Sequence, residues 1–161
     1  MPKFTIMRRS TIKKTITAII ILLLSVTIFA ACNKEGDGVL TTEVLWTNNN
    51  IGGVQNGPEN DTVVVLEEDC LVTTLTNYHY FNDGAKPGTI TLVGEDGTKY
   101  GPWQASGREG QGGVKDAYWD TSPNQELKAG KYLVIDSDHG TWSKNEESGN
   151  AGFTEVIGVR K

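Results

Sequence analysis

Two carboxylates, a hydroxyl, an imidazole and an indole fall within seven residues, at Asp136, Ser137, Asp138, His139 and Trp142, with Asn145 just beyond. Hard oxygen donors at Asp136 and Asp138, followed by Asn145-Glu146-Glu147, would suit calcium. The spacing is not that of an EF-hand. Asp136, Asp138 and Glu147 match the first, third and twelfth places of that loop, but Gly140 stands where a ligand is needed and Thr141 where the turn glycine is needed. The competing role for Asp136 and Asp138 is to accept backbone N–H bonds and cap a turn. Trp142 opens a second chemistry. Sugar rings stack their C–H faces on indoles and bond their hydroxyls to Asp and Asn, so Trp142, Asp136, Asp138 and Asn145 form a candidate glycan platform.

This polar loop must be held by a strand. Residues 130–135 read Gly-Lys-Tyr-Leu-Val-Ile, with Tyr132 and Val134 on one face and Leu133 and Ile135 on the other, the pattern of a central strand covered on both sides. His79, in Tyr78-His79-Tyr80 at the end of another strand, Trp103, and a glycine-rich loop from Gly107 to Gly113 are expected beside the site. A zinc site would need both histidines, His79 and His139, plus carboxylates from elsewhere. Trp46, Trp103, Trp119 and Trp142, with Tyr78, Tyr80, Tyr100 and Tyr118, stand mostly at expected strand ends. At least two of the four tryptophans are expected to plug the core.

From Glu43 onward, short β-like runs alternate with turn signals and no helical period is sustained. Strands are expected at 43–47, 62–66, 70–80, 89–93, 98–103, 114–119, 125–127, 131–135 and 153–159, the two from 89 to 103 forming a hairpin through Glu95-Asp96-Gly97. Ser106 to Gly113, with four glycines, reads as a loop. This spacing indicates an all-β domain, an antiparallel β-sandwich or jelly roll of about nine strands, occupying 43–161.

Hydrolase motifs are missing: there is no Gly-x-Ser-x-Gly elbow, no His-Glu-x-x-His and no cysteine beside a histidine. A binding module is therefore expected rather than an enzyme, although a pair of carboxylates brought together in a cleft would support a hydrolase. The basic residues Lys3, Arg8, Arg9, Lys13 and Lys14 precede all 20 acidic ones, so from Cys32 onward the net charge is about −10. Nucleic acid is excluded as an expected partner, because phosphate binding needs a concentrated basic face. Cys70, among Glu67, Glu68 and Asp69, reads as a buried structural thiol, since acidic neighbours hold a thiol protonated.

The first 31 residues have the build of a signal peptide: a basic start, an apolar run from Ile16 to Phe29, and small residues at Ala30-Ala31. Phe29-Ala30-Ala31-Cys32 resembles the lipobox of bacterial lipoproteins, except that an aliphatic residue is usual where Phe29 stands. The resemblance implies cleavage before Cys32 and a diacylglyceryl group on its thiol, with 32–42 as lipidated cysteine and flexible tether. A membrane-spanning anchor and a simple secreted form are the alternatives. Cys32-Asn33-Lys34-Glu35-Gly36-Asp37 is similar to the lysine-and-acid signals of surface-exported Bacteroidota lipoproteins, or is a plain solvated spacer. Tyr78 to Asn82, Pro87 to Ile90, Tyr100 to Trp103 and the 136–145 loop resemble a β-rich module of bacterial surface proteins that carries no assigned activity. The expectation is a lipid-anchored domain of the cell envelope, on the outer membrane or cell surface. It would bind a glycan or envelope polysaccharide, or else a surface protein, with calcium as the candidate cofactor.

Overall fold

A computed structural model describes residues 41–161. The expected signal peptide, Cys32 and nearly all of the tether lie outside the described residues. Twelve short strands form here: β1 (Glu43–Thr47), β2 (Gln55–Asn56), β3 (Val63–Leu66), β4 (Cys70–Tyr78), β5 (Thr89–Gly94), β6 (Lys99–Gln104), β7 (Ser106–Arg108), β8 (Tyr118–Thr121), β9 (Gln125–Leu127), β10 (Gly130–Asp136), β11 (Ser143–Lys144) and β12 (Thr154–Arg160).

The strands make an antiparallel sandwich. One sheet runs β1-β12-β4-β8-β7, with β9 also pairing β4; the other runs β3-β10-β5-β6; β2 and β11 form a small ribbon. Inward residues of both sheets meet in one core. Cys70, Val72, Leu75, Trp119 and Val156 come from the six-stranded sheet, and Val64, Ile90, Leu92, Tyr132 and Val134 from the four-stranded one. Burying a side chain of this kind contributes about 1.5–3 kcal/mol, which makes this layer the main source of stability. Cys70 is only 1% exposed, and burial pushes its thiol pKa up from the ordinary value.

The expected hairpin forms: β5 pairs β6, Gly97 takes φ +80° in the turn, and Gly94 N–H donates to Thr98 O. Strand 114–119 is shifted, since pairing begins only at Tyr118. The glycine-rich segment is not all loop. Residues 106–108 pair with β8, and a single 3-10 turn follows at Gln111–Gly113. Ser106-Gly107-Arg108 lies at a sheet edge, where only one partner has to be matched.

β10 is central in its sheet, between β3 and β5, but only its Tyr132 and Val134 face is covered. Ile135 is 45% exposed and Leu133 half-buried, which corrects the expectation of apolar cover on both faces. Two layers bury one face of each sheet, so the aliphatic residues on the outer face stay in solvent.

Candidate functional site

The alternation of β4 builds two different environments from one run of residues. In Thr76-Asn77-Tyr78-His79-Tyr80, successive side chains point to opposite faces. Asn77 and His79 enter the sandwich and are fully buried, while Tyr78 and Tyr80 stand on the outer side.

Inside, Asn77 and His79 meet the carboxylate of Asp136 at the end of β10. Asn77 Nδ2 donates to Asp136 Oδ2 at 2.6 Å, and His79 Nε2 donates to the same oxygen at 3.1 Å, since a carboxylate can only accept. Asp136 Oδ1 accepts the Asp138 N–H at 2.7 Å. His79 Nδ1 lies 2.9 Å from Thr141 Oγ1, its ring stacks on Trp119 at 3.8 Å, and Thr154 Oγ1 donates to Asn77 Oδ1 at 2.7 Å. The result is a polar clasp joining one sheet to the other and fixing the 137–141 loop. Asp136 thereby caps the turn that opens the loop, its Oδ1 accepting the N–H two residues on. Asp138 contributes its backbone N–H to the clasp. Among the described residues no three His, Cys, Asp or Glu side chains converge on a metal-sized site. His79 is buried with both ring nitrogens engaged, whereas His139 is exposed, its ring edge-on to Trp142.

Trp142 also turns inward. It is 2% exposed, and its Nε1–H donates to Phe153 O at 2.9 Å. Gly152 lies so close that an added Cβ would sit 2.1 Å from the indole. The glycan platform expected on Trp142, Asp136, Asp138 and Asn145 is therefore corrected at Trp142 and Asp136, because the indole is buried and the Asp136 carboxylate is turned into the clasp. Trp119 and Trp142 are the two buried tryptophans; Trp46 and Trp103 are partly buried against the core, and Trp103 lines neither of the clefts described next.

Outside, the same strand end floors an open cleft of about 790 Å³. Tyr78, Tyr80, Phe81, Tyr118 and Phe153 make the floor, the 49–54 loop one wall, and Gln111-Gly112 the rim. The rings interlock: Tyr78 lies 4.6 Å from Tyr118 and 6.5 Å from Phe153, and Tyr80 meets Phe81 edge-on at 4.8 Å. Arg108 lies over the far side of this group, 4.1 Å from the Tyr118 ring centre, held by Asp120 through Nε at 2.7 Å. That bond raises the Arg108 pKa further. Burial, then the neighbouring Tyr118 and Tyr80 phenols, pushes the Tyr78 phenol up. Gly112 turns the rim with φ +70°, a conformation that a side chain would strain. Phe81 (51% exposed) and Ile51, fully exposed, flank the opening. Asn49 and Gln111 bring amide groups to the same space, while the Asn50 amide is taken up by its neighbours.

Asn145 positions this wall. Asn50 Nδ2 donates to Asn145 Oδ1 at 3.0 Å and Asn145 Nδ2 returns a bond to Asn50 Oδ1 at 2.7 Å. Beyond Gly52-Gly53 lies a second, polar cleft of about 530 Å³, where Lys144 pairs with Glu59 beside Asn145, Glu146 and Glu147.

Of the residues expected at a site, Asp136 and His79 are thus brought together, in the interior. Asn145 lines the polar cleft and braces the wall of the aromatic one, Trp142 and Trp103 are packing residues, and Asp138 holds the loop. The aromatic floor was visible in part as Tyr78-x-Tyr80 and Tyr118. Phe153, Phe81 and the 49–54 wall gave no local signal. Compared with protein-family models, curated proteins and solved structures, the chain gives no significant match.

Proposed function

We propose that this chain is a lipid-anchored, extracytoplasmic binding module that takes a carbohydrate, a glycan or cell-envelope polysaccharide, in the cleft where Tyr80, Phe81 and Tyr118 present their rings over the buried Tyr78 and Phe153. The observation that carries the reading is the combination in one open groove of the rings of Tyr80, Phe81 and Tyr118 with the amide side chains of Asn49 and Gln111. Aromatic faces suit the C–H faces of sugars, and amides supply the donors and acceptors that hydroxyls require. A groove open at its top suits a chain threaded along it.

Titration of the protein with a panel of envelope oligosaccharides tests this. Tyr80→Ala, at a half-buried ring, is expected to weaken binding about 10- to 100-fold, the loss of one central contact of roughly 1.4–2.8 kcal/mol, with little change in folding. Unchanged affinity in Tyr80→Ala and in Phe81→Ala would remove the cleft from the binding reaction.

The exposure of Ile51 and Phe81 at the opening favours a second reading, in which the occupant is a surface protein presenting an apolar segment. Binding of apolar peptides with no response to any sugar would select it.

A further inference from the structure

Lysine side chains are rarely buried, because the flexible stem lets the ammonium head reach back to water. Among the described residues Lys144 is the exception: its side chain is 6% exposed, although its ion-pair partner Glu59 is 66% exposed and could be met at the surface. The head is held at a particular place. Nζ lies 2.5 Å from Glu59 Oε1 and 3.5 Å from Asn150 Oδ1. The backbone fixes all three residues. Lys144 stands opposite Gln55 in the β2–β11 ribbon, the Glu59 N–H donates to Asn150 O at 2.9 Å, and the Asn150 N–H donates to Asn145 O at 2.8 Å. An amine in contact with both a carboxylate and a carboxamide has the components of an acyl transfer: a nucleophile, a proton carrier and an acyl group.

We infer that Lys144 and Asn150 become joined by an amide bond, with Glu59 carrying the protons. Glu59 takes a proton from the Lys144 ammonium, and the freed Nζ lone pair attacks Asn150 Cγ, whose carbonyl electron pair moves to Oδ1. Glu59 then gives that proton to Nδ2. As the carbonyl re-forms, the Cγ–Nδ2 bond breaks and ammonia leaves. The extra proton still on Nζ passes through Glu59 to this ammonia, so an ammonium and a carboxamide end as a secondary amide and an ammonium ion. The exchange is redox-neutral. Reacting atoms about 3–3.5 Å apart are poised for attack, and Nζ already stands that far from the oxygen bonded to Cγ. All three side chains line the polar cleft, which gives the ammonia a way out. The new bond closes the 144–150 turn into a ring. That turn carries Asn145, which pairs with Asn50, so a covalent brace stands behind the 49–54 wall of the aromatic cleft.

Peptide mass spectrometry of the full chain, held in solution until its mass is constant, tests the bond. The peptide holding residues 144 to 150 is expected to be lighter than its sequence by about 17 Da, one ammonia. Trypsin should fail to cut after Lys144, and a protease that cuts after Glu146 and Glu147 should leave the fragments bearing Lys144 and Asn150 joined. Three variants are expected to keep the sequence mass and release separate fragments: Lys144→Arg, which retains the charge; Asn150→Gly, which accepts the φ of +57° at that position; and Glu59→Gln, on an exposed side chain. Separate fragments of full mass from the native chain would overturn the inference. So would the same mass loss with the fragments separate, since that is a succinimide formed between Asn150 and Ala151. A linkage that persists in Glu59→Gln would overturn the proton transfer given to Glu59.

Discussion

Replacing Asp136 by alanine removes the acceptor on which two fully buried donors depend, Asn77 Nδ2–H and His79 Nε2–H, and also frees the Asp138 N–H. A buried donor left without a partner costs about 1–3 kcal/mol. The two inner donors together therefore predict a loss of roughly 4 kcal/mol, a large part of the stability of a small domain. Urea unfolding followed by tryptophan fluorescence reads this directly: with a slope of about 2 kcal/mol/M, the midpoint should fall by about 2 M. Asp138→Ala is the internal control. Its side chain lies outside the clasp, so the loss should stay within about 0.5 kcal/mol. Asn77→Ala and Asp136→Ala combined should cost less than the sum of the two, because they break one shared bond. A loss below about 1 kcal/mol for Asp136→Ala, or equal losses at 136 and 138, would refute the clasp. The same assay with calcium or a chelator should give one midpoint if the Asp136 carboxylate serves the clasp alone. A calcium-dependent rise would return these carboxylates to a metal site.

Trp142→Ala should lower stability by about 3–5 kcal/mol, the usual loss for a deleted core aromatic, rather than remove ligand binding selectively; unfolding and titration of the same variant separate the two. Asn145→Ala should do the reverse, weakening ligand affinity by loosening the 49–54 wall while shifting the unfolding midpoint only slightly. At acid pH, Asp69, bonded by Lys128 and the Ala129 N–H, has a folded pKa below its ordinary 3.8, so its contribution is present above that value and lost as pH falls through the lower folded one. At alkaline pH the Cys70 thiol and the Tyr78 and Tyr132 phenols are all raised, above ordinary values of 9.0 and 10.0. Ionisation then favours the unfolded chain, and stability should decline as pH rises past about 9. A flat stability profile between pH 8 and 11 would contradict the burial of these groups.

The local grammar of the chain was readable from residues alone. Ile90 and Leu92 alternate with threonines, and Glu95-Asp96-Gly97 marks the reversal, so the β5–β6 hairpin needs no distant information. What could not be read is which outer surface of a strand stays uncovered. Leu133 and Ile135 are as apolar as Tyr132 and Val134, and only the two-layer architecture decides between them. The same limit governs the 136–145 loop. Its polar residues look available until Asn77, 59 positions earlier than Asp136, arrives to bond them. Trp142 looks displayed until Gly152 and Phe153 close over it. The cleft is hardest of all, because the 49–54, 78–81, 111–118 and 153 segments each contribute a piece and none is a motif by itself.

The division of β4 into inward carboxamide and imidazole and outward phenols has a consequence for how the chain finds its fold. A slip of one residue between β4 and its neighbours would drive Tyr78 and Tyr80 into the space sized for Asn77 and His79, and would turn the clasp partners out to water. Neither side of the strand tolerates the exchange, so the correct alignment is checked twice at the same place. β4 pairs with β12, β8 and β9 and anchors the whole larger sheet. Its C-terminal end thus ties the register of the sheet to two different environments at once, and the aromatic cleft is complete only when that register is right.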